Sequence, residues 1–202
     1  MLKQLAVAAT VTLAACGGGG GSQPVTSLLF LGNSLTYREP FTEDGGWPGG
    51  GMAASSLSND YAHLTGAALG LPVATYNVAE GVEHSKAFQM PDVPKDSAVV
   101  VELGDNAPAD NLAPFAASYT NLLDAVAGHE LVCVSTWWRN DQKDAIIKDA
   151  CRAHGGTFVY IGDLFPVRQD DVGRYANPDV DAHPHDWGMS MIAQRVIQAL
   201  SN

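Results

Sequence analysis

Five short runs of this chain are almost wholly apolar and rich in β-branched residues: 27–31, 73–77, 98–103, 131–135 and 157–161. Strands with one wet face alternate apolar and polar residues. Strands covered on both faces read as continuous apolar runs, as these do. Helical patterns fill the gaps. Residues 53–69 carry Leu57, Tyr61, Leu64 and Ala68 at helical spacing, and 114–127 carry Phe115, Tyr119, Leu122, Leu123 and Val126. Residues 142–154 carry Ile146, Ile147 and Ala150 before Gly155-Gly156, and 187–200 carry Met191, Ile192, Val196 and Leu200. Such alternation predicts a three-layer α/β/α sandwich around a parallel five-stranded sheet, with right-handed crossovers.

In that architecture the loops that follow the strands gather along one sheet edge, where such folds do their chemistry. Ser34 follows the first strand in Leu31-Gly32-Asn33-Ser34, and Gly81 follows the second. Asn106 follows the third in Gly104-Asp105-Asn106, and Trp137 and Trp138 follow the fourth. His183 lies in the loop before the last helix. A serine hydroxyl needs a base within hydrogen-bond reach to act as a nucleophile, and His183 is the candidate. Acyl transfer also needs donors aimed at the developing oxyanion. The backbone N–H of Ser34, the side-chain amide of Asn106 and the backbone N–H of Gly81 are the candidates. Taken singly, each motif also reads as a polar turn or a helix cap. Their order along the strand-helix series is what points to a site.

The N-terminal residues read as a targeting segment, 1–15, with Lys3 ahead of an apolar run from Leu5 to Ala15. That run is shorter than the about 20 apolar residues that span a bilayer, so it reads as a secretory signal. Leu13-Ala14-Ala15-Cys16 resembles a bacterial lipobox, which implies cleavage before Cys16 and lipid on its sulfur. Gly17 after the cysteine, by the same resemblance, favours an outer membrane where the cell has one. Residues 16–26 then form a glycine-rich tether with a root-mean-square span of roughly 15–20 Å. Residues 27–202 are enough for one domain with a sizeable core.

The chain carries 22 acidic against 11 basic residues, for a net charge of −11. No basic cluster breaks that pattern, which argues against a nucleic-acid partner. It argues equally against electrostatic docking on anionic lipid, leaving the acyl chains as the only membrane attachment. With Cys16 lipidated, Cys133 and Cys151 remain, either as a disulfide of an oxidising compartment or as two buried thiols. Their spacing fits no zinc site.

Gly32-Asn33-Ser34-Leu35-Thr36, Gly104-Asp105-Asn106 and His183-Pro184-His185-Asp186-Trp187-Gly188-Met189 together resemble the ordered blocks of the SGNH hydrolases, the GDSL-type esterases. The resemblance covers nearly the whole mature domain. It implies a flavodoxin-like fold and ester hydrolysis or acyl transfer, without metal or other cofactor. It assigns Ser34 as nucleophile, His183 as base, and Ser34, Gly81 and Asn106 as oxyanion donors. The chain departs from the pattern in places. Asn33 stands where many members have Asp, and Ala107 follows Asn106 where many carry Asp. The carboxylate expected three residues before the histidine is replaced by Val180. Asp181 is then the first choice to orient His183, with Asp179 or a backbone carbonyl as alternatives.

The four tryptophans bear on substrate. Trp47 lies in the glycine-rich loop after Ser34, and Trp138 and Trp187 lie near the active edge, where aromatic faces stack on sugar rings or close the core. Arg139 and Arg38 suit an anionic sugar or a surface carboxylate. Trp47, Trp138 and Arg139 are the candidate substrate contacts. His185 is expected to face the surface rather than bind metal. The leading expectation is an esterase removing acetyl groups from a glycan or small ester. An O-acyltransferase with the same site, or a catalytically silent carbohydrate-binding lipoprotein, are the rivals.

Overall fold

The computed structural model describes residues 24–40, 49–165 and 175–202. The signal and lipidation residues up to Cys16, and Trp47, lie outside the described residues.

The predicted sandwich is present. Five strands, β1 (Ser27–Gly32), β2 (Val73–Asn77), β3 (Ser97–Glu102), β4 (Glu130–Val134) and β5 (Thr157–Val159), form one sheet in the order β2-β1-β3-β4-β5. Every pairing is parallel. This is the flavodoxin-like order, whose chain reversal falls between β1 and β3. β3 is buried along its whole length, and β1 everywhere but its first residue, as their composition demands. β5 ends two residues earlier than its apolar run, because the Ile161 N–H turns to the Ser135 hydroxyl, 2.8 Å away.

Among the described residues, six α-helical segments complete the layers: α1 (Tyr61–Leu69), α2 (Ala79–Val82), α3 (Ala113–Ala125), α4 (Asp141–Ala153), α5 (Pro178–Asp181) and α6 (Asp186–Leu200). Leu28, Phe30, Val100, Val132 and Val134 face α1 and α6, while Leu29, Leu31, Val99, Val101 and Cys133 face α3 and α4. The helix expected over 53–69 is shorter than its periodicity. Ala53 has φ 73°, outside helical space. Asp60 sits in extended backbone and caps α1 by accepting from the His63 N–H at 2.8 Å. Leu57–Asn59 form only a 3-10 turn.

Cys133 of β4 and Cys151 of α4 form a disulfide, with Cα atoms 6.0 Å apart. Both are fully buried. Of the two readings left open by the sequence, the paired one holds. Closing a loop of this size stabilises the fold by about 3 kcal/mol in the chain-entropy account.

Candidate active site

β1 delivers the chain into a tight turn. The Thr36 and Tyr37 N–H groups return to the Asn33 carbonyl at 3.2 and 3.0 Å, and the Leu35 N–H donates to Asn33 Oδ1 at 2.9 Å. The turn requires glycine before it. A Cβ on Gly32 would stand 1.9 Å from Thr36 Oγ1 and 2.7 Å from the Glu102 carbonyl. Among the described residues the Ser34 N–H has no hydrogen-bond partner.

The structure brings Ser34 and His183 together. Ser34 Oγ lies 2.7 Å from His183 Nε2, across 149 residues of sequence. The other ring nitrogen, Nδ1, lies 2.6 Å from the backbone carbonyl of Asp179. A carbonyl only accepts, so Nδ1 carries the proton and Nε2 presents its lone pair to the serine. α5 supplies that carbonyl. Asn177 caps its start, the Pro178 and Val180 carbonyls take the Ala182 and His183 N–H groups, and the Asp179 carbonyl is left for the imidazole. Last-turn carbonyls need such partners.

Asp181, expected to orient His183, does not do so. Its Oδ1 accepts from the Tyr175 N–H at 3.2 Å and lies 3.4 Å from His185 Nε2. The cause is helical: α5 turns the Asp181 side chain away from the site and leaves the Asp179 side chain exposed. His185, expected at the surface, is instead 1 % exposed and packs edge-on against Tyr175.

His183 is itself buried, which pushes its pKa below the ordinary 6.5. The bonds to Asp179 and Val180 backbone oppose that shift without cancelling it. A general base works only when neutral. The acid limb of kcat/KM against pH is therefore expected to have its midpoint below 6.5, with activity rising as pH rises through it. Asp181→Asn should leave that midpoint in place. A midpoint moved by Asp181→Asn would return the orienting role to that carboxylate.

Asn106 and Ser34 line one cleft of about 590 Å³, together with Tyr37, Thr75, Tyr76, Asn77 and His84 among others. Asn106 Nδ2 donates one proton to Glu83 Oε2 at 2.7 Å, and among the described residues its second proton has no acceptor. Gly81 does not join them. Its N–H is spent on the Val78 carbonyl at 3.1 Å, and it lines a separate hollow with Phe88 and Met90. A Cβ there would stand 1.9 Å from the Phe88 ring. Glycine at 81 serves packing, and its spacing after β2 suggested a donor that the turn consumes.

The candidate substrate contacts separate. Trp138 stands against the base, edge-to-face on the His183 ring at a centroid distance of 5.1 Å. Arg139 pairs with Asp141 at 3.0 Å, both well exposed, a surface pairing of little energetic weight. Trp137 is core, its Nε1 donating to the Ala182 carbonyl at 3.3 Å.

Beneath the cleft lies a group of acids that the motifs did not reveal. Glu83, Glu102 and Asp105 converge on Asn33, whose amide nitrogen lies 3.3, 3.5 and 3.2 Å from their oxygens. Burial, then the charge of Asp105, holds the Glu102 carboxyl well above the usual range. Burial and the Glu83 charge raise Asp105 to about 6, against the bonds from Glu102, the Trp138 N–H and Asn33. Lys143, 5 % exposed, donates to the Asp105 carbonyl at 3.0 Å and brings a buried positive charge to the group. One sequence signal was available: a glutamate ending the otherwise apolar run Val99-Val100-Val101-Glu102.

No protein-family model and no curated protein matches the chain. Solved structures do. A family two carbohydrate esterase from Clostridium thermocellum, in complex with cellohexaose, is 17% identical with a TM-score of 0.59, over 89% of this chain and 65% of that one. A two-domain esterase active on acetylated mannans, co-crystallised with mannopentaose, is 17% identical with a TM-score of 0.57, over 87% of this chain and 49% of that one. A G-D-S-L family protein from Desulfitobacterium hafniense is 11% identical with a TM-score of 0.52, over 86% of this chain and 99% of that one. The chain thus spans about two thirds of the first esterase and half of the second. It has the SGNH-hydrolase fold.

Proposed function

We propose that the chain is a serine esterase that removes acetyl groups from carbohydrate. The observation that carries this reading is the Ser34–His183 contact of 2.7 Å, with the proton of His183 fixed on Nδ1 by the Asp179 carbonyl. Ser34 Oγ attacks the ester carbonyl and gives its proton to His183 Nε2. The carbonyl oxygen becomes an oxyanion, held by the Ser34 N–H and the second Nδ2 proton of Asn106. Nε2–H then protonates the leaving alkoxide as the C–O bond breaks, leaving an acyl-serine. Water, deprotonated by the same nitrogen, attacks the acyl carbon; the bond to Ser34 Oγ then breaks, Oγ takes the proton back from Nε2, and the acid leaves. A sugar hydroxyl in place of that water would make the same site an acyltransferase.

Two features favour a sugar as the alcohol. The cleft beside Ser34 is lined mostly by polar groups, with the Tyr37 and Tyr76 rings among them, and Tyr76 is 42% exposed on the edge strand. A long acyl chain would need an apolar channel instead. The neighbours of the same fold include carbohydrate esterases, one active on acetylated mannans. Assay of acetate release from acetylated manno-oligosaccharides, beside p-nitrophenyl esters of increasing chain length, tests the reading. Acetate is expected as the preferred acyl group, and Tyr76→Ala is expected to raise KM for the oligosaccharide but not for p-nitrophenyl acetate. A preference for octanoate, or no acetate release from any glycan, would sink it.

The domain is proposed to act outside the cytoplasm, tethered through a lipid on Cys16. The Leu13-Ala14-Ala15-Cys16 junction and glycine run support this. So does the buried Cys133–Cys151 bridge, since disulfides persist in oxidising compartments. Metabolic labelling with a radioactive fatty acid is expected, with loss in Cys16→Ser; label retained in that variant would place the lipid elsewhere, and no label in the wild type would dismiss the lipid.

A further inference from the structure

Asn106 has the chemistry of an oxyanion donor, but an amide on a loop can point anywhere. What aims it is Glu83, a carboxylate 1 % exposed at the end of α2. Glu83 Oε2 accepts from Asn106 Nδ2 at 2.7 Å. Glu83 Oε1 accepts from the Gly104 N–H at 2.5 Å, the Asn106 N–H at 3.2 Å and Asn33 Nδ2 at 3.3 Å. One side chain thus binds both the backbone and the side chain of Asn106, and reaches the turn that carries Ser34. Each of these partners is a donor, so only an acceptor at both oxygens satisfies them, and only an ionised carboxylate is that.

Resting on the esterase reading, we propose that Glu83 is the positioning residue of the oxyanion site: its carboxylate fixes the rotamer of Asn106 so that the remaining Nδ2 proton faces the reacting carbonyl. Asn106 Oδ1 and Nδ2 would otherwise exchange places by rotation about one bond. The carboxylate forbids that exchange, because it would set an acceptor against an acceptor. Such fixing is what preorganisation means at a transition state, where misplacement of about 1 Å can cost about 10²-fold. It also assigns a purpose to a buried negative charge near a developing oxyanion, which would otherwise oppose catalysis. The buried Lys143 ammonium brings compensating charge to the same group.

The test is a double-mutant cycle on kcat for p-nitrophenyl acetate. Glu83→Gln turns an N–H₂ toward donors, so kcat is expected to fall by about 10- to 100-fold with little change in KM. In an Asn106→Ala background the same substitution is expected to cost nothing further, because the group it aims is gone. Additive losses in the cycle would make Glu83 a merely structural residue and overturn the proposal while leaving the esterase reading intact. Absence of any Ser34-dependent turnover in the wild type would overturn both. Should Glu83→Gln not fold, the wild type alone decides by NMR. The Asn106 side-chain amide, assigned by its loss in Asn106→Ala, is expected to show one downfield proton protected from exchange. Both protons exchanging rapidly, with neither shifted downfield, would overturn the clamp.

Discussion

Ser34→Ala is expected to lower kcat for acetyl esters by at least about 10⁴-fold, and His183→Ala by a comparable factor. The two losses should not add. With Oγ gone, Nε2 has no proton to take, and with Nε2 gone, Oγ keeps its proton at neutral pH. The double variant is therefore expected to be no worse than either single one. Ser34→Ala should also abolish labelling by a fluorophosphonate probe, which reacts with the activated hydroxyl. His183→Ala should slow labelling without removing the site of attachment. Neither variant should unfold the protein. Ser34 is only partly buried and, among the described residues, its side chain bonds to His183 alone, so its removal leaves the core untouched. Undiminished turnover in Ser34→Ala would dismiss the serine mechanism altogether. No turnover in the wild type would instead favour a binding protein on the same fold.

The reason the fold was legible is visible in β1 and β3. Their residues face helices on both sides of the sheet, so both strands had to be apolar almost throughout, and that burial is written directly in Leu28 to Leu31 and in Ala98 to Val101. Ser34, Asn106 and His183 were legible for a related reason. Ser34 and Asn106 each follow a strand whose end the sequence marks, and His183 precedes the marked start of the last helix, so topology brings the three to one edge. A backbone carbonyl as orienter of His183 was only the alternative reading, and which carbonyl it is was not legible, because a carbonyl has no side chain to read. Asp181 was chosen as the nearest carboxylate by count, and the single turn of α5 carries it to His185 instead. Glu83 was hidden differently. It lies 50 residues from Asn33 and 23 from Asn106, and no local spacing announces a contact of that range.

Asn33 shows what the missed acids explain. The residue departs from the aspartate that many SGNH sequences carry there. In this chain it faces Glu83, Glu102 and Asp105. An aspartate would bring a further carboxylate to buried acids and would remove the amide that donates to them. The departure at Asn33 and the presence of Glu83 are therefore two sides of one electrostatic arrangement. A carboxylate without such donors, enclosed in low dielectric, is costly to keep ionised.

Asn106→Ala is expected to reduce kcat by about 10²- to 10³-fold with little change in KM. The argument is one of charge development. In the ground state the ester oxygen is neutral and gains little from a second donor, so substrate binding is nearly unaffected. In the tetrahedral intermediate that oxygen is anionic, and on the proposed mechanism the Asn106 amide and the Ser34 N–H are the donors that meet it. Gly81 cannot substitute, since its own N–H is engaged by Val78. Fluorophosphonate labelling of Ser34 should slow in step with kcat, because the phosphoryl oxygen of the probe occupies the same place. Stability should fall as well, by about 1 kcal/mol, since Glu83 Oε2 loses the donor that satisfies it. The stability and rate effects can be told apart with Asn106→Asp. That variant keeps the size of the side chain but sets a carboxyl against Glu83 and against the oxyanion, so it should be at least as slow as Asn106→Ala. A loss of less than about fivefold in Asn106→Ala, against the about 10²-fold expected of an oxyanion donor, would mean that this amide does not meet the developing charge and that its bond to Glu83 serves the fold alone.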